Sequence, residues 1–145
     1  MMKQLALALL LASTVAHAES LEEKKYWKGQ TDYIARDIAD AEKVCGTKFT
    51  FELIDKDKAK LREAHDKKNH TPNSVCSAPI TSVALICRAG EDEKAAVKAK
   101  IKGFACGAGN PRSLSLDKAG IVRFHGNLDE VNLHEWIRNW LGKAL

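Results

Sequence analysis

No Cys-x-x-Cys occurs in this chain, and no apolar run approaches the roughly 20 residues that a membrane-spanning helix requires. The first absence argues against a thioredoxin-type redox pair and a zinc knuckle. The second removes stable membrane insertion from the expectation. A strong charge of one sign is also lacking: 23 Lys and Arg against 19 Asp and Glu give a net +4, too mild to imply nucleic acid as a partner. Neither the Gly-x-Ser-x-Gly elbow of many hydrolases nor a Gly-rich loop followed by Lys-Ser/Thr is present. Internal repeats and linkers are missing too. With 45% apolar and 29% charged residues, the composition is that of an ordinary folded domain, not a collagen-like, low-complexity or wholly disordered chain.

What is present begins with an address. Lys3, the apolar stretch Leu5 to Ala12 and the small-x-small triplet Ala16-His17-Ala18 read as a secretory signal cleaved after Ala18. No Cys follows that site, as a lipid anchor would need, and the compact leader looks bacterial, so the expected location is the periplasm or outside the cell. Loss of the leader with Lys3 leaves 127 residues at net +3, one domain from Glu19 to Leu145. Its four cysteines, Cys45, Cys76, Cys87 and Cys106, are separated by 31, 11 and 19 residues. In an oxidising compartment an even count reads as two disulfides, with three connectivities open.

The pattern of the remaining residues predicts an α+β domain. Ser20-Leu21-Glu22-Glu23 is a capping box for a helix running to Cys45, stopped by Gly46, with Trp27, Ile34, Ile38, Ala41 and Cys45 on one stripe and Gly29 a weak point. Lys48 to Ile54 alternates as a half-buried strand, and Asp55 opens a short helix from Lys56 to Asp66. Residues 67–79 are expected to loop around Cys76, and 81–88, apolar on both faces, to form a central strand. Strict alternation in Val97 to Lys102 favours a strand over 95–106 in a hairpin with 81–88, with a helix starting at Gly90-Glu91-Asp92-Glu93 as the alternative for 91–102. Leu114 and Leu116, then Val122 and Phe124, face inward from two strands joined by the turn Asp117-Lys118-Ala119-Gly120. Asn132-Leu133-His134-Glu135 starts a last helix striped by Leu133, Trp136, Ile137, Trp140 and Leu141. The expected architecture is an antiparallel meander of four to five strands with the N-terminal and C-terminal helices on one face and two disulfides. From Pro111 to the last helix, about a quarter of the chain, the sequence resembles the closing hairpin and helix of thioredoxin-like domains, without their Cys-x-x-Cys.

Candidate chemistry is sparse. His65 and His70 stand five apart and do not share a helical face, the acids Asp55, Asp57 and Glu91 to Glu93 suit caps and turns, and Trp136 and Trp140 belong to a core stripe. Trp27 beside Tyr26 is the one aromatic considered for a partner contact. No catalytic residue, metal or cofactor is expected. One constellation stands out. If 95–106, 112–117 and 120–125 are successive antiparallel strands, Lys98, Lys100 and Lys102 share the wet sheet face with Arg123 and His125, with Ser113 and Ser115 between them. Such a face would attract an acidic protein or an anionic envelope component, although alternating lysines also serve simply to keep a strand soluble. A helix at 91–102 would dissolve the patch. The functional expectation is a small exported binding protein of inhibitor, immunity or accessory type, the alternative a degenerate thioredoxin-like or other small secreted enzyme.

Overall fold

A computed structural model describes residues 19–68, 71–126 and 132–145; residues 1–18, expected to be a secretory signal, and His70 lie outside the described residues. Helix α1 spans Leu21–Cys45, with Ser20 Oγ accepting from the Glu23 N–H at 3.1 Å and Gly46, at φ +66°, closing its C-terminus. Trp27, Ile34, Ala41 and Cys45 are buried along the expected stripe, and the helix passes unbroken through Gly29. Strand β1, Thr50–Leu53, is followed by a single 3-10 turn, Asp55–Asp57, and by helix α2, Lys58–Lys68, which buries Leu61.

The next segments depart from the sequence expectation. Residues 67–79 and 81–88 do not form a loop and a strand: helix α3 runs over Pro72–Ala89 with Pro72 in its first turn. Eleven of its residues are buried, so it has no polar stripe from which helical periodicity could be recognised. The contacts Gln30 Oε1 to Asn73 N–H (3.0 Å), Asp37 to the Ser77 hydroxyl and Cys45 to Cys87 advance together along both helices, so α1 and α3 lie parallel. Residues 91–100 form helix α4, Glu91–Lys100, the alternative weighed for this segment, with Glu91, Asp92 and Glu93 in the first turn where the helix dipole favours them. Val97 and Ile101, four apart and fully buried, fit one helical face as well as they fit strand alternation.

Strands β2 (Gly103–Ala108), β3 (Ser113–Leu116) and β4 (Ile121–Gly126) complete a sheet of order β1-β2-β4-β3. It is mixed, not an antiparallel meander: β1 is parallel to β2, β2 is parallel to β4, and only β3 and β4 pair antiparallel. The reason is the helical stretch 72–100, which turns the connection from β1 to β2 into a crossover, the link parallel strands need. The final hairpin forms as expected around Gly120 at φ +80°. In register, Phe51, Phe104, Val122 and Leu116 form one row of the core face, and Leu53, Cys106, Phe124 and Leu114 the next. Helix α5, Leu133–Ala144, buries Ile137 and Leu141. Asn132, left-handed at φ +59°, gives α5 no side-chain cap, so the Asn-x-x-Glu box does not form.

The two disulfides are Cys45–Cys87 and Cys76–Cys106, one tying α3 to the end of α1 and the other tying it to β2. They close loops of 42 and 30 residues. Replacing either pair by serine is expected to cost about 2–4 kcal/mol of unfolding free energy, read from urea denaturation of the oxidised protein. A midpoint unchanged by either double substitution would show the bridges to be dispensable.

Candidate binding face

Of the five cations proposed from sequence, Arg123 and His125 lie on a strand of the sheet, whereas Lys98, Lys100 and Lys102 do not. Lys98 and Lys100 lie on α4 and Lys102 on the link to β2. Lys102 Nζ donates to the Lys98 carbonyl at 2.6 Å, and Lys100 Nζ donates to the carbonyls of Ala144 (3.2 Å) and Leu145. Lys100 and Lys102 thus serve carbonyls at helix ends, where such groups lack intrahelical partners. Arg123 and His125 do stand together on the sheet face away from the core, opposite Ser115 and Ser113 respectively in the β3–β4 register.

That face runs from Thr50 and Glu52 on β1, over Gly103, Ala105 and Gly107 on β2, to Ile121, Arg123 and His125 on β4 and Ser113 and Ser115 on β3. Side chains from its flanks close over the small residues of β2. A methyl at Gly103 would lie 2.1 Å from Thr50 Oγ1, and one at Gly107 would lie 2.3 Å from Asp57 Oδ2 and 3.1 Å from His125 Cδ2. Ala105, in register between Glu52 and Arg123, is only 1% exposed although it is on the outer side. On this face Glu52, Ser113 and Ser115 are exposed.

Its electrostatics are fixed at two points. Arg123 Nε donates to Asp117 Oδ2 at 3.0 Å, while Asp117 Oδ1 accepts from the backbone N–H groups of Ile121 (3.0 Å) and Ala119 (2.9 Å). The Ile121 N–H, then the Arg123 guanidinium and the Ala119 N–H, hold the Asp117 carboxyl below the ordinary aspartate value against a partial desolvation penalty. At the other end, buried Asp57 accepts from the Ala108 N–H at 3.2 Å, and His125 Nδ1 stands 3.4 Å from Ser113 Oγ. Asp57 was invisible as a site residue in the sequence, where it is one acid among several in a turn; only the pairing of β1 with β2 brings it over Gly107.

Ser113, His125 and Asp57 are the residue types of a hydrolytic relay. The Ser113 to His125 separation is long for a working hydrogen bond, and the Asp57 carboxylate is engaged by the Ala108 N–H. Trp27 is core, 6% exposed with Nε1 bonded to Glu23 at 2.7 Å, and offers no stacking platform. An open depression of about 390 Å³ beside the end of α1 is lined by Glu42, Lys43 and Lys48 among others. There Lys48 (2.7 Å) and the Phe49 N–H (3.0 Å) hold the Glu42 carboxyl below its ordinary value, a bond that anchors the start of β1. Among the described residues no three His, Cys, Asp or Glu groups gather as metal ligands, and no helix is long and apolar enough to cross a membrane. Comparison with protein-family models, curated proteins and solved structures yields no match.

Two outcomes follow. Because the folded carboxyl of Asp117 titrates low, the stability it contributes is present above its unfolded value and lost as pH falls through the folded one. In an NMR titration Asp117 stays below the ordinary aspartate midpoint in Arg123→Gln, since the Ile121 and Ala119 N–H groups remain; a return to the ordinary value would show the guanidinium to be the dominant cause. Gly107→Ala drives a methyl against Asp57 and is expected to destabilise the fold by about 1–3 kcal/mol in urea, whereas an unchanged midpoint would show that Asp57 moves aside freely.

Proposed function

We propose that this chain is a small exported binding protein of inhibitor, immunity or accessory type that recognises a protein partner through the outer face of its sheet. The observation that supports it best is that face itself, with Arg123 and its partner Asp117 oriented by hydrogen bonds at its hairpin end. Both signs of charge occur there, Glu52 and Asp117 against Arg123, which suits a protein partner better than a polyanionic envelope surface. Export rests on the leader 1–18, cleaved after Ala18, and is supported by two disulfides, which persist in oxidising compartments. Four strands about 4.8 Å apart present a footprint of roughly 400 Å², so a standard interface of about 800 Å² per partner also takes in flanking loops.

The redox alternative has little support, since all four cysteines are bonded and the most exposed of them, Cys87, is 5% exposed. A hydrolase reading has one observation in its favour, the gathering of Ser113, His125 and Asp57 at Gly107. Fluorophosphonate labelling of Ser113 would establish that reading in place of binding.

The direct test puts a photoreactive p-benzoylphenylalanine at position 50, exposed on the sheet's outer face, or at position 91 on α4, in the cell that makes the protein. A discrete adduct from 50 and none from 91 is the expected result. Adducts from neither position, or from 91 alone, would overturn the reading.

A further inference from the structure

We infer that the partner presents a side-chain carboxylate to the guanidinium of Arg123, flanked by the Ser115 hydroxyl and the His125–Ser113 pair; this rests on the binding reading above and names the chemistry recognised there. Among the described residues Arg123 uses Nε alone, on Asp117, and its two NH₂ groups have no further partner there. A guanidinium held at Nε keeps its outer edge available, and two parallel N–H donors match the two oxygens of a carboxylate. The side chain is 42% exposed.

The surroundings consist of further donors in fixed register. Ser115 is directly opposite Arg123, and Ser113 directly opposite His125, which lies two residues along the same strand, roughly 6.8 Å away. Arg123, Ser115, Ser113 and His125 therefore form a two-by-two grid in which every side chain can donate a hydrogen bond. Acids surround the grid, Asp117 beside Arg123, Asp57 over Gly107 and Glu52 across Ala105. A polyanion such as a nucleic acid or a sulfated glycan would meet these carboxylates as well as the guanidinium. A single carboxylate, delivered by one Asp or Glu of a folded partner, meets only the donors.

The test uses the ¹⁵N-labelled mature protein with both disulfides intact, titrated with the blocked tripeptide Gly-Glu-Gly, with its Gly-Gln-Gly counterpart and with inorganic phosphate. Millimolar Gly-Glu-Gly is expected to give saturable shifts of the Arg123 Nε–Hε and the Ser115 and His125 amides, with no response to Gly-Gln-Gly. Arg123→Lys, which keeps the charge and loses the fork, should weaken the response about tenfold. Equal responses to the Glu and Gln peptides, an undiminished response in Arg123→Lys, or a response to phosphate alone would each overturn the proposal. The parent reading is separable: a position-50 adduct that persists in Arg123→Gln keeps the binding face and removes the carboxylate, whereas absence of the adduct with Arg123 in place removes both.

Discussion

Cys76 and Cys87 stand eleven residues apart on α3, three helical turns, so their sulfurs leave the helix along nearly one line about 16.5 Å long. One is bonded to the end of α1 and the other to the middle of β2. The helix between them is buried nearly all round, with α1 alongside it and the sheet beneath. A helix with so little polar surface must be covered before it is stable, and a chain of this size has little apolar area to spare for holding several layers together. The two bridges fasten both of those layers to α3, and the rest of the molecule is arranged around that clamp.

The topology follows from it. Because α2, α3 and α4 lie between β1 and β2, those strands run parallel, and the returning hairpin inserts β4 beside β2 with β3 at the edge. The core face is filled by Phe51, Phe104, Phe124, Val122 and Leu114, against which the helices pack. The opposite face is left to Thr50, Glu52, Arg123, Ser113 and Ser115. Glycine at 103 and 107 lets neighbouring side chains close over the middle strand.

The parts legible in the sequence are those whose evidence is local. Ser20, Gly46 and the Trp27 to Cys45 stripe define α1 because one side of that helix is wet. Gly120 and the alternation of Val122 and Phe124 define the hairpin for the same reason, and with it the common face of Arg123, His125, Ser113 and Ser115. Helix α3 was illegible because burial on all sides erases periodicity, and Ile80, Val83 and Ile86 are equally at home in a central strand. The alternation of Val97 and Ile101 with lysines misled because residues four apart satisfy both a helix and a strand; the three acids at 91–93 were the better signal. Asp57 and Glu52 join the face only through the parallel pairing of β1 with β2, a contact across some fifty residues that no local pattern encodes.

The same clamp bears on what the face can do. Association costs less when the groups that meet the partner are already ordered, because rotamer freedom has then been given up in folding. Arg123 is such a group: a long side chain on a strand would ordinarily sample many conformations, yet Asp117, itself fixed by two backbone N–H groups, holds it at Nε. Its strand is paired on both sides, and the neighbouring β2 is bonded covalently to α3 through Cys106. A lone cation on a flexible loop attracts many anions weakly. On the binding reading proposed above, a guanidinium oriented on a stapled sheet and bordered by acids would select by geometry, which is the property that separates a recognition surface from a merely charged one.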